Sequence, residues 1–208
     1  MIITVASYKG GVAKSQTAVH LAYFLSAYAS TLLLDGDDNR SVTRWAERGS
    51  LPFPVADERQ APRLARQYEH MVIDTQARPG DDDLKALAQG CDLMVVPTLP
   101  DILSLDATIL TVEALRRMKV RNFKVLLTIV APRPSKDADE AREMLQSAEV
   151  PVFKQVIHRL VAFPKAALAG TTVDKSGDPR GGTGWREYEA VGEQILEDLG
   201  YEQVRRSA

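Results

Sequence analysis

Short apolar runs alternate with longer stretches of helical spacing along most of this chain, and that alternation constrains its fold more than any other feature. IITVA at 2–6 precedes an amphipathic stretch from about Lys14 to Tyr28, and TLLLD at 31–35 precedes a polar helix carrying Val42 and Trp45. MVIDT at 71–75 leads to a helix opened by Asp81, Asp82 and Asp83, whose carboxylates suit a helix N-terminus. DLMVVP at 92–97 leads to a helix from about Asp101 to Met118, and KVLLTIVAP at 124–132 leads to the helical stretch DADEAREMLQSA. VPVF at 150–153 is a candidate last strand, and a final helix is expected at about 184–199 after a Gly-, Asp- and Ser-rich loop. Continuous rather than alternating apolar runs mean strands covered on both faces, and strand-helix repetition means parallel pairing with right-handed crossovers. The expected fold class is α/β: a doubly wound, mostly parallel sheet with helices on both faces.

With 208 residues, 45% of them apolar, the chain can bury one substantial core, and residues 1–208 are expected to form a single domain. Its 26 basic and 28 acidic side chains nearly cancel, so any nucleic-acid contact must come from a local patch. Cys91 is the only cysteine, which excludes an internal disulfide, a thiolate zinc site and a dithiol pair, and fits a reducing cytoplasm. No window reaches the roughly 18 apolar residues of a membrane span, and no basic n-region precedes IITVAS. The expectation is a soluble, unexported protein.

The chemistry concentrates in SYKGGVAKSQT at 7–17. A strict G-x-x-x-x-G-K-[ST] search fails, because Tyr8 stands at the first glycine and Ala13 at the second. The context nevertheless fits: a strand feeds the loop and a helix leaves it, so backbone N–H groups and the helix N-terminus converge where a phosphate would sit. Lys14 would reach the β- and γ-phosphates, and the Ser15 hydroxyl would ligate Mg²⁺. The competing possibility is a Gly-Gly turn with two solvated lysines. LLLDGDDN adds Asp35 at a strand tip, with Asp37 and Asp38 beyond it, and MVIDT adds Asp74 at another. Strand ends are where ligands of open α/β sheets bind, and an acid there can hold Mg²⁺ directly or through water.

KGGVAKS, DGDDN about 20 residues later, VIDT and VVPTLPD together resemble the deviant Walker ATPases of the ParA and MinD group, strongly over residues 1 to about 110. That resemblance implies a P-loop NTPase-like fold, ATP and Mg²⁺ as cofactors, and a homodimer bridged by ATP. Lys9 matches the signature lysine that reaches the partner's phosphates, and Asp37 matches the residue that positions the attacking water. The implied catalytic set is therefore Lys9, Lys14 and Asp37. The implied nucleotide contacts are Lys9, Gly10, Gly11, Val12, Ala13, Lys14, Ser15, Gln16, Thr128 and Pro132, and Ser15, Asp35 and Asp74 surround the metal. Three residues depart from the family pattern: Ala13 for the last loop glycine, Asp38 for a proline, and Thr128 near an asparagine that often reads adenine. If residue 13 needs a positive φ, alanine costs about 1–2 kcal/mol; if its φ is helical, the exchange is nearly free.

Short members of the group act as positioning ATPases, which implies non-specific DNA binding, a nucleoid-associated cytoplasmic location and a cargo-associated adaptor that stimulates slow hydrolysis. Candidate DNA contacts are RRMKVRNFK at 116–124, the set Lys154, Arg159 and Lys165, and the terminal Arg205 and Arg206. A MinD-like membrane role would need a basic amphipathic C-terminal helix, whereas AVGEQILEDLGYEQVRRSA carries four acids and few bulky apolar groups. A small-molecule ATP-dependent ligase on the same fold is the other alternative, and such ligases usually lack the signature lysine. His20, His70 and His158 show no metal-ligand spacing and no GxSxG motif is present, and with no helix-turn-helix read before Ile2 a specific operator-binding role is not expected.

Overall fold

In a computed structural model, described over residues 1–77, 80–132 and 134–201, β1 (Ile2–Ser7) lies inside a six-stranded parallel sheet. Its companions are β2 (Thr31–Gly36), β3 (Val55–Asp57), β4 (His70–Ala77), β5 (Leu93–Thr98) and β6 (Phe123–Leu127), in the order β3-β2-β4-β1-β5-β6. The helices are α1 (Lys14–Ser26), α2 (Ser41–Glu47), α3 (Ala61–Leu64), α4 (Asp81–Gln89), α5 (Ile102–Arg117), α6 (Asp137–Ser147), α7 (Ala162–Ala169) and α8 (Gly181–Asp198). One sheet face, with Ile3, Val5, Leu33 and Val72, packs against α1 and α8. On the other, Ala6, Met94, Val96 and Leu127 meet Leu84 of α4, Leu105 and Leu115 of α5, and Leu145 of α6. This is the doubly wound α/β sheet that the apolar runs predict.

Register decides what the sheet offers at its C-terminal edge. Val5, Asp74 and Asp35 are successive Cα partners across β1, β4 and β2, so their side chains share a face, and Val5 places that face under α1. The two acids therefore stand at the strand ends on the side where α1 begins.

α1 is held from behind by α8. The Tyr188 hydroxyl meets Gln16 Nε2 at 3.1 Å and Thr17 Oγ1 at 3.1 Å, while its ring stacks on His20 with centroids 4.8 Å apart. His20 is fully buried; its Nδ1–H donates to Gln16 O at 2.7 Å, and its Nε2 accepts from Val173 N–H at 3.1 Å. The second of these bonds requires the neutral ring, and burial pushes the pKa down to about 4 against the bond to Gln16 O. The unfolded chain, with a histidine pKa near 6.5, then binds more protons between pH 6.5 and 4, so stability is full above that window and falls as pH drops through it. Going from pH 7.5 to 5 is expected to cost wild type about 2 kcal/mol more than His20→Gln in urea unfolding. Equal pH slopes would contradict this placement.

Elsewhere the structure departs from the expected elements. VPVF at 150–153 is no strand of the sheet: Val125 N–H reaches Pro151 O and Phe153 N–H reaches Val125 O, a single bridge on the β6 edge, where Pro151 has no N–H to extend a ladder. β6 stops at Leu127 rather than continuing to 132, because Ile129 takes a left-handed φ of 53°. β3, α3 and α7 were not expected, and α8 starts at Gly181, inside the expected loop. Arg205 and Arg206 lie outside the described residues.

Candidate nucleotide site

The loop from Tyr8 to Ala13 joins β1 to α1 and is shaped by two left-handed residues, Gly11 at φ 75° and Ala13 at φ 62° and ψ 33°. Gly11 adopts this conformation freely, whereas Ala13 carries a strain of about 1–2 kcal/mol. Thr17 N–H is the first to close a helical bond, on Ala13 O at 2.9 Å, which leaves the N–H groups of Lys14, Ser15 and Gln16 outside the helical ladder. Left-handed residues spaced along a loop that opens a helix make a backbone concavity suited to an anion. Ala13→Gly should relieve the strain and lose part of the gain to unfolded-chain entropy, for a net stabilisation of about 0.5–1 kcal/mol in urea unfolding. Destabilisation by this substitution would show that the left-handed backbone is not strained.

Beneath the loop sits a buried charge cluster. Lys14 is buried, and that burial lowers its pKa while Asp74 and Asp37 act against the shift. Asp74 is fully buried, and neither of its carboxylate oxygens meets a donor in hydrogen-bonding geometry. Burial drives its pKa up to about 7, with the Ser15 hydroxyl and Lys14 opposing. An orphaned carboxylate beside a serine hydroxyl is a hard-oxygen set of the kind Mg²⁺ uses, with water and phosphate oxygens filling the rest of its shell. The residues present thus fit the metal that the sequence motifs imply.

Asp35 is occupied differently. Its Oδ2 accepts from Thr43 N–H at 2.8 Å and from Thr43 Oγ1 at 2.6 Å, and its Oδ1 accepts from Asp37 N–H at 3.2 Å. These bonds shape the β2–α2 turn, so Asp35 supports the site more than it opens onto it. Asp37 is also oriented: Oδ1 accepts from Asn39 N–H and Nδ2, both at 3.1 Å, and Oδ2 accepts from Ser41 Oγ at 2.9 Å. Asp38, where the family pattern has proline, is exposed.

Lys9 does not join this cluster. Its ammonium donates to Ser104 Oγ at 2.6 Å and lies 3.5 Å from Asp101 Oδ1, at the start of α5. Asp101 is the N-cap of that helix, accepting from Ser104 N–H at 3.0 Å. The sequence shows this cap as Asp-x-x-Ser but gives no sign that it receives a lysine 92 residues away. The Gln16 side chain is held by Tyr188. Thr128 is fully buried, its hydroxyl 3.1 Å from both Val12 O and Thr98 O, while Pro132 is exposed nearby in sequence.

A parallel sheet with a backbone concavity between β1 and α1, a buried lysine beneath it and acids at neighbouring strand ends defines a P-loop nucleotide-binding protein. The chain belongs to the family described as CobQ/CobB/MinD/ParA nucleotide binding domain, which matches residues 3–173. Within it, the chain is 35% identical over 206 residues to the maintenance of carboxysome distribution protein A of Gloeobacter kilaueensis, covering 95% of this chain and 93% of that one. Its fold is similar to that of a plasmid partition protein from Borrelia burgdorferi bound to AMPPNP, with a TM-score of 0.76 at 18% identity over 95% of this chain and 98% of that one. A Cyanothece McdA variant in complex with ATP has a TM-score of 0.70 at 17% identity, covering 96% of each chain. The family match and the Gloeobacter kilaueensis relative place the chain in the short ParA-like subgroup, and the solved structures share its fold.

Proposed function

We propose that this chain is a ParA-like positioning ATPase of the cytoplasm. It binds ATP in the β1–α1 loop, closes with a second copy of itself around two nucleotides, and binds DNA without sequence preference. An adaptor on the cargo, a plasmid, a carboxysome or another protein cluster, then stimulates a slow hydrolysis to ADP and phosphate that releases the dimer. Residues 1–208 act in this cycle as one domain.

The observation that carries this reading is the division of labour between two lysines of one loop. Lys14 is buried among Asp74 and Asp37, whereas the Lys9 ammonium is directed away from them to Asp101 and Ser104 and is one-third exposed. A lysine so held is placed to serve a neighbour's phosphates rather than its own. Lys14, Ser15, Gln16 and the backbone from Gly10 to Ala13 hold the nucleotide together with Pro132, and Asp37, fixed by Asn39 and Ser41, orients the attacking water. Ser15 and Asp74 would hold Mg²⁺, with Asp35 behind them. That ion would neutralise phosphate charge as the bond to the γ-phosphoryl group breaks.

The membrane and ligase alternatives are less well supported. The apolar side of α8 is spent on α1, with Tyr188, Val191, Ile195 and Leu196 buried, and among the described residues no helix is long and apolar enough to cross a membrane. A ligase acting within one chain would use Lys9 only to hold the start of α5. For DNA, Arg117, Lys119, Arg121, Lys154 and Arg159 are exposed, whereas Arg116 caps backbone carbonyls of Ala148 and Glu149, and Lys124 and Lys165 pair with Asp198 and Asp178. Retention on non-specific DNA is expected to require MgATP and to disappear between about 50 and 200 mM salt. Retention that ignores the nucleotide would overturn the cycle.

A further inference from the structure

We propose that Thr128 is a positioning residue of the nucleotide loop: its hydroxyl clamps the Val12 carbonyl and thereby aims the Ala13 N–H at the bound phosphates. The inference rests on the loop being a nucleotide site, and it assigns to Thr128 a task other than reading the base.

Geometry supplies the reason. A trans peptide is planar, with its C=O and N–H pointing in opposite directions, so fixing one fixes the other. Val12 and Ala13 share such a plane. Thr128 Oγ1 lies 3.1 Å from Val12 O, on the buried side, which turns the Ala13 N–H away from the protein interior. The clamp is itself anchored: Thr128 N–H donates to Thr98 O at 2.8 Å, and the same oxygen lies 3.1 Å from Thr128 Oγ1. Thr98 Oγ1 in turn accepts from Thr108 Oγ1 at 2.8 Å and donates to Ser104 O at 3.2 Å, so the clamp is tied into the start of α5. Immediately beyond it Ile129 bends into a left-handed φ of 53°, an unusual conformation for a β-branched residue, which ends β6 with Thr128 facing the loop.

The clamp also accounts for a pairing of two unusual residues. Ala13 holds a left-handed φ of 62° at a cost that glycine would not incur, so this loop needs an outside hold that a glycine loop would need less. Thr128 provides it from 116 residues away. Since the hydroxyl is fully buried and directed at two backbone carbonyls, it has no surface to offer a base.

The test is nucleotide titration of wild type, Thr128→Val, Thr128→Ser and Thr128→Ala, with MgATP, MgADP and MgGTP, alongside the Val variant carrying Ala13→Gly. Thr128→Val keeps the shape and removes the hydroxyl. It is expected to weaken all three nucleotides alike by about tenfold, the size expected when a buried carbonyl loses its donor. Thr128→Ala carries the same comparison if valine disturbs folding. Thr128→Ser is expected to stay within about threefold of wild type, and Ala13→Gly to recover part of the loss in Thr128→Val. Unchanged affinity in folded Thr128→Val and Thr128→Ala would overturn the clamp, as would a loss confined to ATP with GTP unaffected, which is the signature of base reading. A wild type that binds no nucleotide would instead refute the proposed function and leave the loop geometry standing.

Discussion

Lys14→Ala is expected to bind MgATP about 10- to 100-fold more weakly than wild type, the largest loss of affinity from any single side chain of the loop. The size follows from where the ammonium sits. Burial lowers the pKa of Lys14, and Asp74 and Asp37 pull against that shift, so the charge is held in a partly dry setting where its attraction to phosphate is poorly screened. Alanine removes that charge and also leaves the buried Asp74 carboxylate without its nearby cation. Titration with a fluorescent ATP analogue reads the effect directly. Binding within about threefold of wild type would mean that the phosphates lie elsewhere.

Asp37→Ala is expected to slow phosphate release by about 100-fold or more while nucleotide affinity changes by no more than a few fold. Asp37 is rigidly presented: Asn39 donates to one of its oxygens from backbone and side chain, and Ser41 donates to the other. Such a carboxylate can orient a water without contributing much to holding the nucleotide. Since the same bonds also shape the β2–α2 turn, Asp37→Asn serves as a control that keeps much of that turn and removes the charge. With hydrolysis blocked, ATP-bound dimer should accumulate. An Asp37→Ala protein that is monomeric with ATP bound would contradict the assigned role.

Much of this site is legible in the sequence because it is built from local pieces. A strand, a Gly-Gly loop and a helix starting Lys-Ser suffice to locate the backbone concavity, and the strand-ending acids Asp35 and Asp74 prove to be Cα partners on adjacent strands. Local pattern fails where the partner is far along the chain. The Lys9 contact with Asp101 and Ser104, the Thr128 bond to Val12 and the Tyr188 bonds to Gln16 and Thr17 span 92 to 172 residues, and each is set by tertiary packing. The same holds for Ala13, whose left-handed backbone runs against the preference of its own side chain. Short elements such as β3 and α3 have too few residues to show a period, and α7 reads as apolar without a clear polar face.

The two acids illustrate how similar motifs separate once folded. Both end a buried strand, yet Asp35 accepts from Thr43 and from Asp37 N–H, while Asp74 meets no donor in good hydrogen-bonding geometry and burial raises its pKa to about 7 against the Ser15 hydroxyl and Lys14. Burial does not account for this difference in hydrogen-bond partners, since Asp35 is also only 4% exposed. The difference is the turn that follows each strand: the β2–α2 turn folds back over its own carboxylate, and Asp74 is left facing the start of α1.

The central claim is that two chains close around nucleotide and that Lys9 acts across the interface. Light-scattering mass of wild type and Lys9→Ala, each saturated with MgATP or with MgADP, tests it most directly. Wild type is expected at twice the monomer mass with MgATP and at monomer mass with MgADP, and Lys9→Ala, though nucleotide-bound, at monomer mass with both. Wild type that stays monomeric in saturating MgATP, or Lys9→Ala that dimerises as wild type does, would contradict it.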